Sequence, residues 1–258
     1  RIIVALDVKH PDEAKALVDQ LTAYVGGFKV GLEFITSTYA SLVTARNDEA
    51  SALALLGSLR RLYAAIGDQL FYDGKFADIP NTVAGAAAGV KPLAPKFFNV
   101  HASAGEAAVK AAAANKGSSL LLGVTVLTSI DADACQSIFG DTPDMIVFRF
   151  TELLIAAGAD GIICSPQELE FLHQAISVHG SPVIARAAYE RLLKVTPGVR
   201  PVWAAVGDQK RVMTPGEAIK HGATYLVIGR PITQPPADIG SPADAAKRIA
   251  EEIAEALA

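Results

Sequence analysis

The chain has 258 residues, 51% of them hydrophobic and only 19% charged, and 23 Lys plus Arg against 27 Asp plus Glu give a net charge of -4. A mean hydropathy of +0.31 excludes an intrinsically disordered chain, which pairs low hydrophobicity with high net charge. A pI near 5.7 without any Lys/Arg block excludes a polyanion-binding face for nucleic acid, although a small anionic substrate needs only a few local cations.

Short apolar, β-branched runs alternate with helical patterns along the whole chain, the signature of βα units around a parallel sheet. Strands are predicted at 2–6, 27–31, 69–74, 97–101, 119–127, 160–164, 192–196 and 223–228. The opening run, ended by Asp7, is too short for a secretory signal, and the missing initiator Met is expected to reflect trimming. A cytoplasmic location is expected, where Cys135 and Cys164 serve as ordinary small apolar residues. Apolar runs such as 120–124 stop well short of the roughly 18 residues of a membrane span, so no membrane association is expected.

Helix starts are marked by Pro11 with Asp12-Glu13, by Pro80 after Asp78, and by Ser165-Pro166 ahead of Gln167-Glu168. Residues 36–68 should hold two helices between strands two and three, and 130–158 at least one extra helical segment. Neither stretch carries enough apolar residues for a core of its own. No Pro/Gly/Ser-rich linker divides the chain, so the expected fold is α/β: a single (β/α)8 TIM barrel over 1–258 with extra helices after strands 2 and 5.

The strongest local signal is Asp73-Gly74-Lys75-Phe76-Ala77-Asp78-Ile79-Pro80-Asn81-Thr82. A strand's side-chain period of two puts Asp73 and Lys75 on one face, where they can pair with each other and with Asp78 just beyond. Charges inside the C-terminal end of a barrel strand are costly unless paired, and that end is where barrel active sites lie. Alone, the motif is equally a structural ion pair. Other strand ends add Asp7, Lys29, His101 and Thr128-Ser129, so ionisable and polar residues collect on one rim. Thr196-Pro197-Gly198 and Gly229-Arg230 have the small residues and cation of a phosphate site, with 207–211 as a candidate lid carrying Gln209.

These residues resemble the orotidine 5'-monophosphate (OMP) decarboxylase family over essentially the whole chain. The matching pieces are Ala5-Leu6-Asp7, Phe28-Lys29-Val30-Gly31, Asp73-x-Lys75-x-x-Asp78-Ile79-Pro80-Asn81-Thr82, Val100-His101-Ala102, Leu127-Thr128-Ser129, Thr196 to Pro201, Gly207 to Arg211 and Val227 to Ile232. The resemblance implies a cofactor-free, metal-free decarboxylase with Lys29, Asp73, Lys75 and Asp78 as an alternating charge array and Lys75 delivering a proton to C6. It further implies that Asp7 binds ribose hydroxyls beside Lys29, that Ser129 binds the pyrimidine, and that Gln209, Gly229 and Arg230 hold the phosphate. Asp78 and Thr82 would reach the neighbouring subunit's site, which implies a homodimer. Gly74 stands where the family usually has a larger apolar residue, a departure expected to affect local stability, and 36–68 is longer than in compact members.

Two other readings remain. A Mg²⁺-dependent sugar-phosphate decarboxylase or lyase of the same barrel group would need an acidic residue where this chain has Lys29. A non-catalytic phosphoribosyl-ligand binding barrel would have no chemical reason to keep the array.

Overall fold

A computed structural model of the chain describes residues 1–45, 48–204 and 213–258. Eight parallel strands close into a barrel in sequence order: β1 (Ile2–Ala5), β2 (Gly27–Gly31), β3 (Leu70–Phe76), β4 (Phe97–His101), β5 (Leu120–Val124), β6 (Gly161–Ile163), β7 (Leu193–Thr196) and β8 (Tyr225–Ile228). β1 closes the ring by pairing with both β2 and β8.

The strands are apolar on both faces because both are buried. Outward residues such as Ile2, Val4, Phe28 and Phe98 join the layer packed against the helices. Inward Ile3, Phe71, Phe97, Leu122 and Val195 form a separate interior cluster, with the Phe71 and Phe97 rings edge to face at 6.0 Å. That interior layer fills the barrel below the site, so the rim rests on packed side chains instead of a pore.

The helices start where the sequence marks them. α1 (Pro11–Leu21), α4 (Pro80–Val90), α7 (Pro143–Ala156), α8 (Pro166–Leu172), α10 (Pro215–Lys220) and α12 (Pro242–Leu257) all open on proline, whose fixed φ and missing N–H suit the first turn. Ser165, Thr214 and Ser241 form reciprocal capping boxes with Glu168, Glu217 and Asp244. The extra segments are helical as expected: α2 (Leu32–Thr44) and α3 (Glu49–Ile66) lie between β2 and β3, and α6 (Ala132–Phe139) and α7 between β5 and β6. α5 (Glu106–Asn115), α9 (Arg186–Arg191) and α11 (Arg230–Thr233) complete the set among the described residues. Among them, no helix is long and apolar enough to cross a membrane.

Six of the eight strands differ from the sequence reading at one end or both, and the C-terminal ends of two differ by more than one residue. The fifth strand ends at Val124, not 127, because its neighbour β6 ends at Ile163: the Thr125 N–H makes the final bond to the Ile163 carbonyl, which the Thr125 hydroxyl also caps. Val126 is apolar because it is buried beyond the strand, not because it is in it. The third strand runs on to Phe76, through an irregularity that shapes the site.

Candidate active site

Parallel strands deliver their C-terminal ends to one rim, and the charged residues of β2 and β3 meet there. The β2–β3 register sets Lys29 opposite Phe71 and Gly31 opposite Asp73. From there Lys29 Nζ reaches Asp73 Oδ2 at 3.1 Å and, across β1, Asp7 Oδ1 at 3.2 Å. Lys75 Nζ lies 2.6 and 2.7 Å from the two oxygens of Asp73. Asp73 is only 4% exposed, whereas the Lys75 side chain keeps 30% of its surface open. The cluster is therefore a row, Asp7–Lys29–Asp73–Lys75, anchored at a buried carboxylate.

Burial alone would push the Asp73 carboxyl up, but the Lys29 and Lys75 ammoniums outweigh it and hold the group below the usual carboxylate range. Burial likewise pulls Lys29 down, yet Asp73 and Asp7 raise it above the ordinary lysine value. Both groups are thus charged at neutral pH. Half-buried His101, at the end of β4, is lowered by burial and by the Lys75 ammonium, with Asp73 opposing.

Simple alternation does not describe how Lys75 gets there. β3 pairs with β4 at Tyr72↔Phe98 and next at Phe76↔Val100, so β3 takes four residue steps where β4 takes two. Within this bulge Lys75 adopts φ +46°, a left-handed conformation that costs a non-glycine residue about 1–3 kcal/mol and persists only when its surroundings enforce it. The Lys75 N–H, displaced from the ladder, donates to Asn99 Oδ1 at 2.7 Å, and Asn99 Nδ2 donates to Asp73 Oδ1 at 2.6 Å. Gly74 fits because the Tyr72 and Phe76 rings close over it: a Cβ there would lie 2.8 Å from each. The space of a larger side chain is already filled, so this glycine does not leave a gap.

Asp78 departs from expectation. Its exposed carboxylate accepts from its neighbour's N–H, Ile79, at 2.7 Å, and among the described residues it forms no ion pair with Lys75 of its own chain. The reason is geometric: β3 ends at Phe76, and the turn into α4 carries Asp78 outward. Thr82, in the first turn of α4, is exposed as well, as is Ile79 at 66%.

Two adjoining cavities open at the rim. One, of about 310 Å³, is walled by Phe71, Val124, Val126, Ile163 and Val227, with Lys29, Asp73, Lys75, Thr128 and Ser129 supplying polar atoms. The other, of about 520 Å³, is lined by Asp7, Lys29, Glu33, Gly198, Arg200, Gly229 and Arg230. Lys29, Pro197 and Val227 border both. The first suits a flat, partly apolar group and the second an anion facing two guanidiniums. Gln209 and the whole candidate lid 207–211 lie outside the described residues.

Sequence reasoning brought Asp7, Lys29, Asp73, Lys75, Ser129, Gly229 and Arg230 to one end of the barrel, and gave no role to three residues that border or support it. Asn99 was detectable as a polar residue at an inward position of an apolar strand. Gly31 gives passage to Lys29, since a Cβ there would lie 2.7 Å from its Nζ. Arg200, buried at 8% exposure, adds a second cation to the larger cleft.

With its ionisable row at the catalytic end and arginines in the adjoining cleft, the molecule falls in the class of (β/α)8 barrels whose rim is built for a small anionic ligand. Comparison with known proteins narrows the class. The chain belongs to the orotidine 5'-phosphate decarboxylase / HUMPS family, whose profile matches residues 1–249. It is 40% identical to orotidine 5'-phosphate decarboxylase of Moorella thermoacetica over 98% of this chain and 92% of that protein. Identity to the Halorhodospira halophila enzyme of the same name is also 40%, over 99% and 97%. Among solved structures, the Lactobacillus acidophilus orotidine 5'-phosphate decarboxylase superposes with a TM-score of 0.68 at 27% identity, covering 98% of both chains.

Proposed function

We propose that this chain is an orotidine 5'-phosphate decarboxylase, a carboxy-lyase that converts OMP to UMP and CO2 in pyrimidine nucleotide synthesis, in the cytoplasm, with residues 1–258 as one catalytic domain. The observation that carries this reading is the Lys75 ammonium, held by buried Asp73 at the mouth of a largely apolar cavity.

Loss of CO2 from C6 breaks the C6–carboxylate bond and leaves its electron pair in an sp² orbital with no neighbouring carbonyl to accept it. An ammonium at C6 stabilises that developing charge and then transfers its proton to carbon, giving UMP; solvent restores the proton to Lys75. Asp73 lies beside the position of the departing carboxylate and fixes the ammonium's direction. Asp7 and Lys29 suit ribose hydroxyls, Ser129 the pyrimidine, and Gly229, Arg230 and Gln209 the phosphate, whose binding energy can serve closure over the reacting end.

Exposed Asp78 and Thr82, with bare Ile79 between them, support a homodimer in which they complete the partner's site. The Mg²⁺-dependent alternative fits the donor set poorly. Lys29 Nζ lies between Asp7 and Asp73, where its positive charge opposes a divalent cation. The test is loss of orotate absorbance on mixing purified protein with OMP, with and without EDTA. Rapid conversion unaffected by EDTA is expected; no turnover by folded protein, or turnover abolished by EDTA and restored by Mg²⁺, overturns the proposal.

A further inference from the structure

Asn99 is fully buried on β4, where strand alternation turns it inward between Phe97 and His101. Its one side chain holds both halves of the acid pair: the carbonyl accepts from the Lys75 backbone N–H, and the amide donates to Asp73 Oδ1. The first bond fills the ladder position vacated by the bulge, at the residue with φ +46°. The second fixes the carboxylate to which Lys75 Nζ is bonded. Backbone and side chain of Lys75 are thus referred to the same rigid point on the neighbouring strand.

We propose that Asn99 is a positioning residue for proton delivery by Lys75, an inference that rests on the decarboxylase reading above. At neutral pH a primary amide in this place accepts from one group and donates to the other. Leucine does neither, and an ionised carboxylate cannot donate. Misplacing a reacting group by about 1 Å is enough to cost roughly 10²-fold in rate.

The experiment compares the parent enzyme with Asn99→Ala and Asn99→Asp, measuring kcat for OMP and, separately, Kd for UMP by calorimetry. Asn99→Ala should lower kcat by about 10²-fold while UMP affinity stays within about threefold, because the nucleotide-binding groups do not touch Asn99. Asn99→Asp keeps the shape and still accepts from Lys75, but it sets a second carboxylate against Asp73 and loses the donor. Its kcat should be low at neutral pH and rise on acidification, as the introduced acid takes up a proton and donates it in a hydrogen bond to Asp73.

The charged or titratable groups facing that position are Asp73 and Lys75 on β3, Lys29 on β2 and His101 on β4, all present in the parent, whose profile is the control. β5 presents Leu122, paired with Asn99 in the ladder. A kcat within threefold of the parent in Asn99→Ala overturns the proposal, as does a parallel fall of kcat and UMP affinity, which marks a purely structural role. Should Asn99→Ala not fold, an Asn99→Asp profile parallel to the parent's overturns it equally. Failure of the parent itself to turn over OMP is a separate outcome that overturns the decarboxylase reading and this inference together.

Discussion

The barrel carries a Lys–Asp pair at each end, and the two do different work. At the C-terminal rim, Asp73 is almost wholly buried and faces two ammoniums and an amide. At the opposite end, Asp160 just before β6 meets Lys116 at 2.5 Å and accepts from the Leu121 N–H at 2.7 Å, with both side chains 25% exposed. All bonds of Asp160 stay within the scaffold, tying β5 to β6. Asp73 instead holds Lys75 toward a cavity, and the bulge that aims it carries backbone strain. An ion pair by itself therefore says little about function. What distinguishes the rim is the excess of cations over the buried anion and the strained backbone that aims one of them.

Substitutions should separate the two ends. The largest effect is expected for Lys75→Ala: losing both the general acid and the charge at C6 should lower kcat by about 10⁴-fold or more, with UMP still bound and the thermal midpoint little changed. A loss under about tenfold would remove Lys75 from the chemistry. Mixing inactive Lys75→Ala and Asp78→Ala proteins under subunit exchange should restore roughly a quarter of parent activity, because random pairing gives half hybrids with one intact site each. No recovery despite demonstrated hybrids would sink the shared site.

Gly31→Ala sharpens the picture of the rim. The new Cβ crowds only the flexible end of Lys29, at 2.7 Å, and makes ordinary contacts at 3.6 and 3.7 Å with Asp7 and Asp73, so stability should hold while kcat/KM falls about tenfold, through displacement of an ammonium that neutralises Asp73. Unaltered kinetics would mean that Lys29 has slack in its position. Asp160→Asn tests the other end: a loss of about 1–3 kcal/mol in urea unfolding is expected with kcat/KM unchanged. Altered kinetics there would break the division between rim and scaffold.

The smallest effect concerns pH. Lys194 on β7 is buried outside the barrel interior, donating to the Tyr189 carbonyl at 2.8 Å with its ammonium 4.3 Å from the Tyr189 ring. Burial lowers its pKa, against the opposing influence of Cys164 and Glu190, whereas Lys29 is raised by two carboxylates. The signs follow. Between the lowered folded value and the ordinary lysine value, the unfolded chain binds more protons at Lys194, so this residue's contribution to stability increases with pH. The Lys29 contribution is fully present below the ordinary lysine value and lost as pH rises through the raised one. Urea midpoints measured from pH 8 upward should show the parent gaining on Lys194→Met; a difference that does not vary with pH would refute the assignment.

The fold was legible because each βα unit announces itself locally. Apolar runs recur eight times, several followed by proline- and acid-marked helix starts, and a parallel sheet of that length buries both faces only when wrapped in helices. The rim was legible for the same reason: a parallel barrel sends every strand's C-terminal residues to one end, so Asp7, Lys29, Asp73, Lys75, Ser129 and Arg230 had to converge. The bulge was not legible. Period-two alternation paired Asp73 with Lys75 for a regular strand, whereas the actual contact comes through a left-handed residue whose partner, Asn99, lies on another strand. Nor could local spacing show that Asp78, three residues past Lys75, leaves the row, because its direction is set by where β3 ends and α4 begins. Secondary structure and the gathering of charges at one rim were determined by the sequence alone, through short-range periodicity and turn chemistry. Which lone pair meets which ammonium was decided only by the tertiary structure, because those contacts depend on register between strands far apart in the chain.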